Sequence, residues 1–447
     1  MAVTFPGEGQ IWAESTAKDM KPKTFSFNVV FEGDATQEDV MIASGMLRLI
    51  EMGMDGYSTT VFCYGQTGSG KTHTLTGPPG LFKKMDFMSE DHGLIFRSFV
   101  HLFRLIEESK EDVNYVLRAS YLEIYNEQVK DLLNPNPDQR SLQVRWSKKV
   151  RGFYVENLFT VECNEIDDLV AVLEEGLSNR HVRGHNLNEF SSRSHTILTV
   201  HITQEQQESE EGIFLSKHGK INFVDLAGSE KSSETQTIGK SLEEANNINK
   251  SLLTLGTCIS ALSDPKKKSG HIPYRDSKLT KLLADSLGGN GVTLMVACIS
   301  PAKSSLSESL CTLRYAARAK RIKTKPIVIM DPREKLIISL KREVAALELE
   351  NSYLKAQLGL APDATLDLPV PPPKNDVKIV ARKMPVPDSK SGPGLGKRKR
   401  RMSIVNVDEI SKMPPEDVTN IVKVSASDSV EVDAFPAFRS GCDRRRK

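Results

Sequence analysis

The chain is short of several things, and each shortage excludes something. Its 447 residues hold no apolar run of about 18 or more, so none of it reads as a membrane-spanning helix. The N-terminus lacks the charged-then-apolar layout of a secretion signal. Six cysteines (Cys63, Cys163, Cys258, Cys298, Cys311 and Cys442) are scattered without one C-x-x-C pair. That speaks against a zinc or disulfide framework and fits reduced thiols in an intracellular protein. Net charge is close to nil, with 60 Lys and Arg against 58 Asp and Glu, so only local charge can point to a partner. Aromatics make up 6% and do not interleave with the basic runs, and no base-reading motif occurs, so nucleic acid is an unlikely ligand. The expectation is a soluble protein of the cytoplasm or nucleus.

What is present is sharper. Gly65-Gln66-Thr67-Gly68-Ser69-Gly70-Lys71-Thr72 fits the phosphate-loop pattern G-x-x-x-x-G-K-[ST]. Its glycines let backbone N–H groups converge on an anion. Lys71 is placed to reach β- and γ-phosphates, and the Thr72 hydroxyl to hold Mg²⁺. The β-branched and aromatic stretch 59–64 reads as a buried strand, and a helix is expected after Thr72.

Strand-like and helix-like patterns alternate over 23–322, as in an α/β sheet. Strands are expected at 25–31, 115–125, 196–203, 221–224 and 292–299. Helices are expected at 39–52, 96–109, 165–176, 246–262 and 306–322. Beyond Pro326, Ile337, Leu340, Val344, Leu347, Asn351, Leu354 and Leu358 follow a 3,4 spacing, an a/d seam of about three heptads. Asn351 falls on an a position, which favours a parallel two-stranded register. Either this seam joins two copies, or the helix lies on the globular part. From 359 onward the chain becomes Pro-, Ser- and Lys-rich and reads as disordered. Its basic runs, Lys397-Arg-Lys-Arg-Arg401 and Arg444-Arg-Arg-Lys447, fit nuclear import, electrostatic grip on a polyanion, or plain solvated charge. Ser403 after Arg400-Arg401 fits a phosphorylation site that would subtract local positive charge.

A phosphate loop leaves many chemistries open, and two later segments narrow them. Asn188-Glu-Phe-Ser191-Ser192-Arg193-Ser194-His195 gathers hydroxyls around one arginine. Asp225-Leu-Ala-Gly228-Ser-Glu230 follows an apolar strand, where Asp225 suits Mg²⁺–water coordination and the Gly228 N–H can meet a γ-phosphate. An Arg193–Glu230 ion pair could close the pocket over phosphate.

These residues resemble a kinesin motor domain. The phosphate loop, N-x-x-S-S-R-S-H and D-L-A-G-S-E match the family's phosphate loop, switch I and switch II. Ser120-Tyr-Leu-Glu-Ile-Tyr-Asn-Glu127, Glu244-Ala-Asn-Asn-Ile-Asn-Lys-Ser-Leu252, His271-Ile-Pro-Tyr-Arg-Asp-Ser-Lys-Leu-Thr280 and Asp285-Ser-Leu-Gly-Gly289 match further motifs. The resemblance implies a P-loop NTPase fold: a central mixed, mostly parallel β-sheet flanked by helices, then a short coiled coil and a disordered tail. It divides the chain into a motor at 1–324, a neck linker at 325–333, a coil at 334–358 and a tail at 359–447. It implies ATP and Mg²⁺ at 65–72. Ser191 and Ser192 would hold the lytic water and metal, Arg193 and Glu230 would form a latch, and 246–262 would be a relay helix. It implies microtubules as track, with movement toward the plus end by a microtubule-stimulated ATPase.

Charge agrees with an acidic polymer. Lys266, Lys267, Lys268, Arg275, Lys278 and Lys281 follow the relay helix, and Arg145, Lys148, Lys149 and Arg151 form a second cluster. Departures from the family pattern are also present. No strand ending in an R-x-R-P-like motif precedes Phe25, so a central strand and part of the base pocket are expected to be missing, exposing a sheet edge. Either 1–22 improvises a substitute, or this is a truncated form. Arg183-Gly184-His185 stands where the family has small residues and a Thr, Ile329 where it has a latching Asn, and Asn28 where it has an Asp. A non-motile microtubule-binding scaffold therefore stands beside the motor reading. Another phosphate-loop enzyme, such as a small-molecule kinase, finds no acceptor site in the sequence. No cargo-binding domain is recognisable.

Overall fold

The computed structural model describes residues 2–7, 9–14, 22–78, 80–81, 89–109, 113–134, 141–148, 152–183, 192–207, 214–230, 240–264, 270–328 and 332–358. The first three strands, β1 (Val3–Gly7), β2 (Gln10–Ala13) and β3 (Lys23–Ser26), form a small antiparallel sheet of their own. Its apolar side, Val3, Ile11 and Ala13, packs on Leu310 and Leu313. Among the described residues, β1 and β2 thus join β3 in a sheet of their own and add no strand to the main sheet. The strand expected at 25–31 stops at Ser26.

Helices α1 (Gln37–Ala43) and α2 (Met46–Met54) replace the single helix expected at 39–52. Thr36 and Asp39 start α1 with a reciprocal capping box. Gly45, at φ 87°, breaks the run, because a left-handed residue cannot continue a helix. Then come β4 (Ser58–Tyr64), α3 (Lys71–Thr76), α4 (Leu94–Glu107), β5 (Val113–Tyr125) and β6 (Gln128–Asp131). A hairpin of β7 (Val144–Ser147) and β8 (Gly152–Val155) follows, then β9 (Val161–Cys163), α5 (Ile166–Arg183), β10 (His195–Gln207) and β11 (Phe214–Asp225). The chain continues through α6 (Lys240–Leu262), α7 (Lys278–Leu282), α8 (Ala284–Gly288), β12 (Val292–Ala297), α9 (Leu306–Ala319) and α10 (Pro332–Gln357).

Seven strands make the main sheet, in the order β12-β4-β11-β10-β5-β6, with β9 also on β5. The sheet is mixed, as expected, but not mostly parallel. Only β12–β4 and β4–β11 run parallel; β11–β10, β10–β5, β5–β6 and β5–β9 are antiparallel. The reason is chain economy. β5 turns directly into β6 at Asn126 and Glu127, both at positive φ, and such short turns permit only antiparallel pairing.

Alternation along the strands sorts two cores. Val61 and Cys63 of β4, with Phe223 of β11, face Leu49, Phe99, Leu102 and Leu173 of the helices on one side. Phe62 and Val224 face Leu255 and Ile259 of α6, with Leu279 and Leu287, on the other. This is period two read off directly, and burying one such side chain contributes about 1.5–3 kcal/mol.

Met1–Glu350 forms one compact unit; Asn351–Lys447, described only over 351–358, forms a second. Among the described residues no helix is long and apolar enough to cross a membrane.

Candidate nucleotide site

Strand β4, buried over its first six residues, delivers the glycine-rich loop at its carboxyl end. The Cys298 N–H bonds the Tyr64 carbonyl at 2.8 Å, so the residue after β12 steadies the residue just before the loop. Gly70 turns the loop into α3 at φ 98°, where a side chain would be strained. The helix starts at Lys71, earlier than the expected start after Thr72, and is only one and a half turns long.

Lys71 is buried, and its Nζ donates to the Gln66 carbonyl at 2.9 Å. Burial lowers its pKa, and the Asp225 and Glu230 carboxylates oppose that shift. The Ser69 hydroxyl also donates to the Gln66 carbonyl, at 2.7 Å. The Thr72 hydroxyl donates to Asp225 Oδ2 at 2.9 Å, across 153 residues of sequence. Parallel pairing of β11 with β4 makes this contact, because it sets Asp225 opposite Cys63 at the strand ends.

Arg180 of α5, which the sequence did not single out, meets the same Oδ2 at 2.9 Å. Both side chains are almost fully buried, 6% and 8% exposed. Burial alone would lower the arginine's pKa; the Asp225 carboxylate, together with Tyr121 and Glu123, more than offsets it and holds the guanidinium charged. Asp225 Oδ1 is buried and has no hydrogen-bond partner among the described residues. An oxygen-only pair, Thr72 and Asp225, with one carboxylate oxygen unused, suits a hard divalent cation held by the hydroxyl and, through water, by the carboxylate.

Three contacts tie the two downstream segments to this loop. The Gly228 N–H donates to the Ser192 carbonyl at 2.8 Å, and the Ser229 N–H to the Gly65 carbonyl at 3.1 Å. Glu230 accepts from the Thr67 N–H at 2.8 Å and from the Thr67 hydroxyl. Gly228, assigned to a γ-phosphate from sequence, must give up Ser192 to make that contact. Ser192 and Arg193 are half-buried here, and Ser191 lies outside the described residues.

His195 closed the switch-like motif without receiving a role from sequence. Its Nδ1 accepts from the Ala227 N–H at 2.9 Å, and its Nε2 lies 2.7 Å from the Ser251 hydroxyl of α6. With Nδ1 accepting, Nε2 carries the proton and donates to Ser251. Burial, with the Arg180 and Lys71 cations nearby, pushes its pKa down to about 3, so the ring is neutral. One imidazole therefore links the first switch strand, the second switch loop and the long helix. Neither His195 nor Arg180 carried a signal of its own, since each became special only when distant segments met.

The basic clusters meet as well. The β7–β8 hairpin, carrying Arg145 and leading to Lys148, packs against α7, which carries Lys278 and Lys281. Arg275 is exposed just before α7. Glu127 anchors that helix, accepting from the Ser277 hydroxyl at 2.6 Å and the Lys278 N–H at 2.8 Å. Arg145 is already paired with Glu156 at 2.6 Å. Lys149, Arg151, Lys266, Lys267, Lys268, Gly184, His185, Ile329, Ser403 and both tail runs lie outside the described residues. Of the stretch 325–333 expected as a linker, 325–328 and 332–333 are described, and the Ile327 N–H donates to the Asn290 carbonyl at 3.0 Å.

Comparison with known proteins agrees with this geometry. Residues 6–322 match the family described as the kinesin motor domain. The kinesin-like protein KIF12 of Mus musculus is 50% identical over 337 residues, covering 75% of this chain and 52% of that protein. The chromosome-associated kinesin KIF4A of Homo sapiens is 42% identical over 350 residues, covering 78% of this chain and 27% of that one. The chain thus spans about half the length of the first and about a quarter of the second. A solved structure of a fast kinesin superposes with a TM-score of 0.64 at 38% identity, covering 74% of this chain and 89% of that one.

Proposed function

The chain belongs to the kinesin motor family, whose members are microtubule-stimulated ATPases, and on that premise we propose that it hydrolyses ATP to move along microtubules, toward the plus end. The observation that carries this reading is the Thr72–Asp225–Arg180 constellation, with Asp225 and Arg180 buried beside Lys71, joined through His195 to α6.

Binding exchanges partners already in place. The Lys71 ammonium leaves the Gln66 carbonyl for β- and γ-phosphate oxygens, and the loop's N–H groups of 65–72 cradle them. The Thr72 hydroxyl and the Asp225 carboxylate, now bonded to each other, are the groups that would hold Mg²⁺. Mg²⁺, when bound, neutralises charge gathering on the transferred phosphoryl group. The Gly228 N–H moves from Ser192 to the γ-phosphate. Glu230 leaves Thr67 to pair with Arg193 and close the pocket, while Ser191 and Ser192 position water and metal. His195 moves with Ala227, so its bond to Ser251 carries the change into α6. The linker over 325–333 docks or releases in response.

The track surface comprises Arg145, Lys148, Lys149, Arg151, Lys266, Lys267, Lys268, Arg275, Lys278 and Lys281, facing acidic tubulin. Leu340, Val344, Leu347, Leu354 and Leu358 are exposed on α10 and just beyond it, which supports a parallel homodimer through 337–358. The microtubule cytoskeleton is the expected location. Nuclear entry through 397–401 and phosphorylation at Ser403 are finer proposals of the same kind.

Microtubule-stimulated ATP turnover by the purified chain tests the reading, with Lys71→Ala as the arm expected to lose nucleotide binding. Unchanged nucleotide affinity in that variant would refute the role of Lys71. A second reading, a non-motile microtubule-binding scaffold, draws on one observation: among the described residues β12, which leads into the Cys298 contact beside the phosphate loop, pairs only with β4 and has an open outer edge. Tight microtubule binding without turnover would select it. Leu347→Asp should halve the mass measured by light scattering; an unchanged mass removes the dimer.

A further inference from the structure

We propose that Glu123 of β5 is a positioning residue of the nucleotide site: it is the second acceptor for the Arg180 guanidinium and holds it when the Asp225 carboxylate turns away. In sequence Glu123 is one residue of the 120–127 motif, with no role of its own. In the fold it is 1% exposed, and neither carboxylate oxygen has a hydrogen-bond partner among the described residues. Burying a carboxylate without partners is costly, so such a group calls for a partner in another state of the molecule.

The sheet sets that carboxylate beside the Arg180–Asp225 pair. Thr196 of β10 lies opposite Asp225 of β11 on one side and opposite Glu123 of β5 on the other. Directly opposed residues share a face of the sheet, so the two acids and the threonine form one row. The acids are two strand spacings apart, about 10 Å at the backbone. Helix α5 crosses the same face. Its Gly176 comes so close to Tyr121 that a Cβ there would collide with the ring. Arg180 follows Gly176 by one helical turn, and Glu123 follows Tyr121 by one strand repeat, so both belong to the faces in contact. The guanidinium is thereby brought over the row. Against the pull of burial, Asp225, Tyr121 and Glu123 together hold it charged. Lys130 of β6 also stands opposite Glu123, but no hydrogen bond joins the two.

One arginine needs two acceptors because the first is shared and sits at the start of a moving segment. Asp225 Oδ2 serves the Thr72 hydroxyl as well as Arg180. Asp225 also opens the segment whose Gly228, Ser229 and Glu230 bond to Ser192, Gly65 and Thr67. This role presupposes the nucleotide reading of the site, in which those contacts exchange on binding and Thr72 and Asp225 hold Mg²⁺. A carboxylate that shifts with that segment leaves an arginine only 6% exposed, with no water to turn to. A guanidinium does not give up its proton, so it must find another acceptor. Glu123 lies in the middle of the sheet, on a strand paired on both sides. It keeps Arg180 in place, and with it the end of α5 that leads into the first switch segment.

Urea unfolding of the full chain without nucleotide reads the pairing. In the parent, where Asp225 holds Arg180, Glu123→Gln should change the unfolding constant less than about threefold. In an Asp225→Asn background the arginine depends on Glu123, and the same change should raise that constant at least tenfold. Adding Arg180→Gln throughout should erase the difference. Equal effects in both backgrounds would overturn the proposal, because residues that do not share a partner add independently. A difference that survives Arg180→Gln would also overturn it, by assigning the coupling to repulsion between the two carboxylates. The metal dependence of ADP binding gives a second reading that needs no change at Asp225. Glu123→Gln should weaken ADP affinity about tenfold in Mg²⁺ and leave it unchanged in EDTA. An equal loss in both, or none in either, would overturn the proposal. A parent chain that binds ADP under neither condition would sink the nucleotide reading itself, while the urea series would still decide the pairing.

Discussion

Two arginine–carboxylate pairs in this protein have nearly the same length and opposite significance. Arg180–Asp225 measures 2.9 Å and Arg145–Glu156 2.6 Å. The first sits at the floor of the nucleotide site, 6% and 8% exposed; the second lies on the basic hairpin, 58% and 35% exposed. Geometry alone would rank the hairpin pair higher. Solvent reverses the ranking. Water screens the exposed pair and already solvates each member, so its net worth is about 0–1 kcal/mol. The buried pair has no water to fall back on, so removing one member strands the other charge. A short ion pair is therefore evidence of structural dependence only where burial accompanies it.

The sharpest way to break that comparison is Arg180→Ala. Leaving Asp225 buried and uncompensated should cost about 3–5 kcal/mol, read as a fall in the urea midpoint. A cost under about 1 kcal/mol would place the two pairs in one class. Next comes pH. Because the folded pKa of His195 lies at about 3, below its ordinary value near 6.5, the unfolded chain takes up its proton first on acidification. Its contribution is fully present above about 6.5 and falls by about 1.4 kcal/mol per pH unit from there toward 3. His195→Gln should remove that slope, measured as unfolding free energy at pH 7 and pH 5. An identical slope in the variant would show that the histidine is not held neutral by the fold.

Smaller effects belong to the surface. Lys278→Ala with Lys281→Ala should weaken microtubule co-sedimentation about tenfold at low salt and progressively less as salt rises. A loss independent of salt would mean that the lysines act through packing. Smallest of all, Glu156→Gln should change stability by less than about 1 kcal/mol and, by freeing Arg145, tighten microtubule binding about twofold. Weaker binding would show that Glu156 orients the arginine instead of competing for it.

Legibility followed the same division. The phosphate loop was readable because its chemistry is contiguous: glycines, Lys71 and Thr72 sit within eight residues. Strands β5 and β10 were expected close to their observed positions and β11 only at its apolar carboxyl end, and the expected ranges for β10 and β11 fell several residues short. Their polar outer portions, such as 204–207 and 216–220, pair just as well as the apolar ones. The break at Gly45 was missed because apolar spacing continues across it. The balance of parallel and antiparallel pairs was misjudged, because family resemblance weighed more than the short connections in the chain. The separate lobe of β1, β2 and β3 was not anticipated: the sequence reading had 1–22 either improvising a substitute for the missing central strand or marking a truncated form.

Sequence by itself pointed to the ligand chemistry proposed above: the glycine-rich loop, the Lys71 ammonium and the Thr72 hydroxyl follow from local residue order and need no partner to be recognised. Tertiary structure alone decided that Asp225 meets Thr72 and Arg180 and that His195 bridges to Ser251. Those contacts join residues separated by 45 to 153 positions, and burial sets their worth. Neither separation in space nor exclusion of water is written in any single stretch of chain.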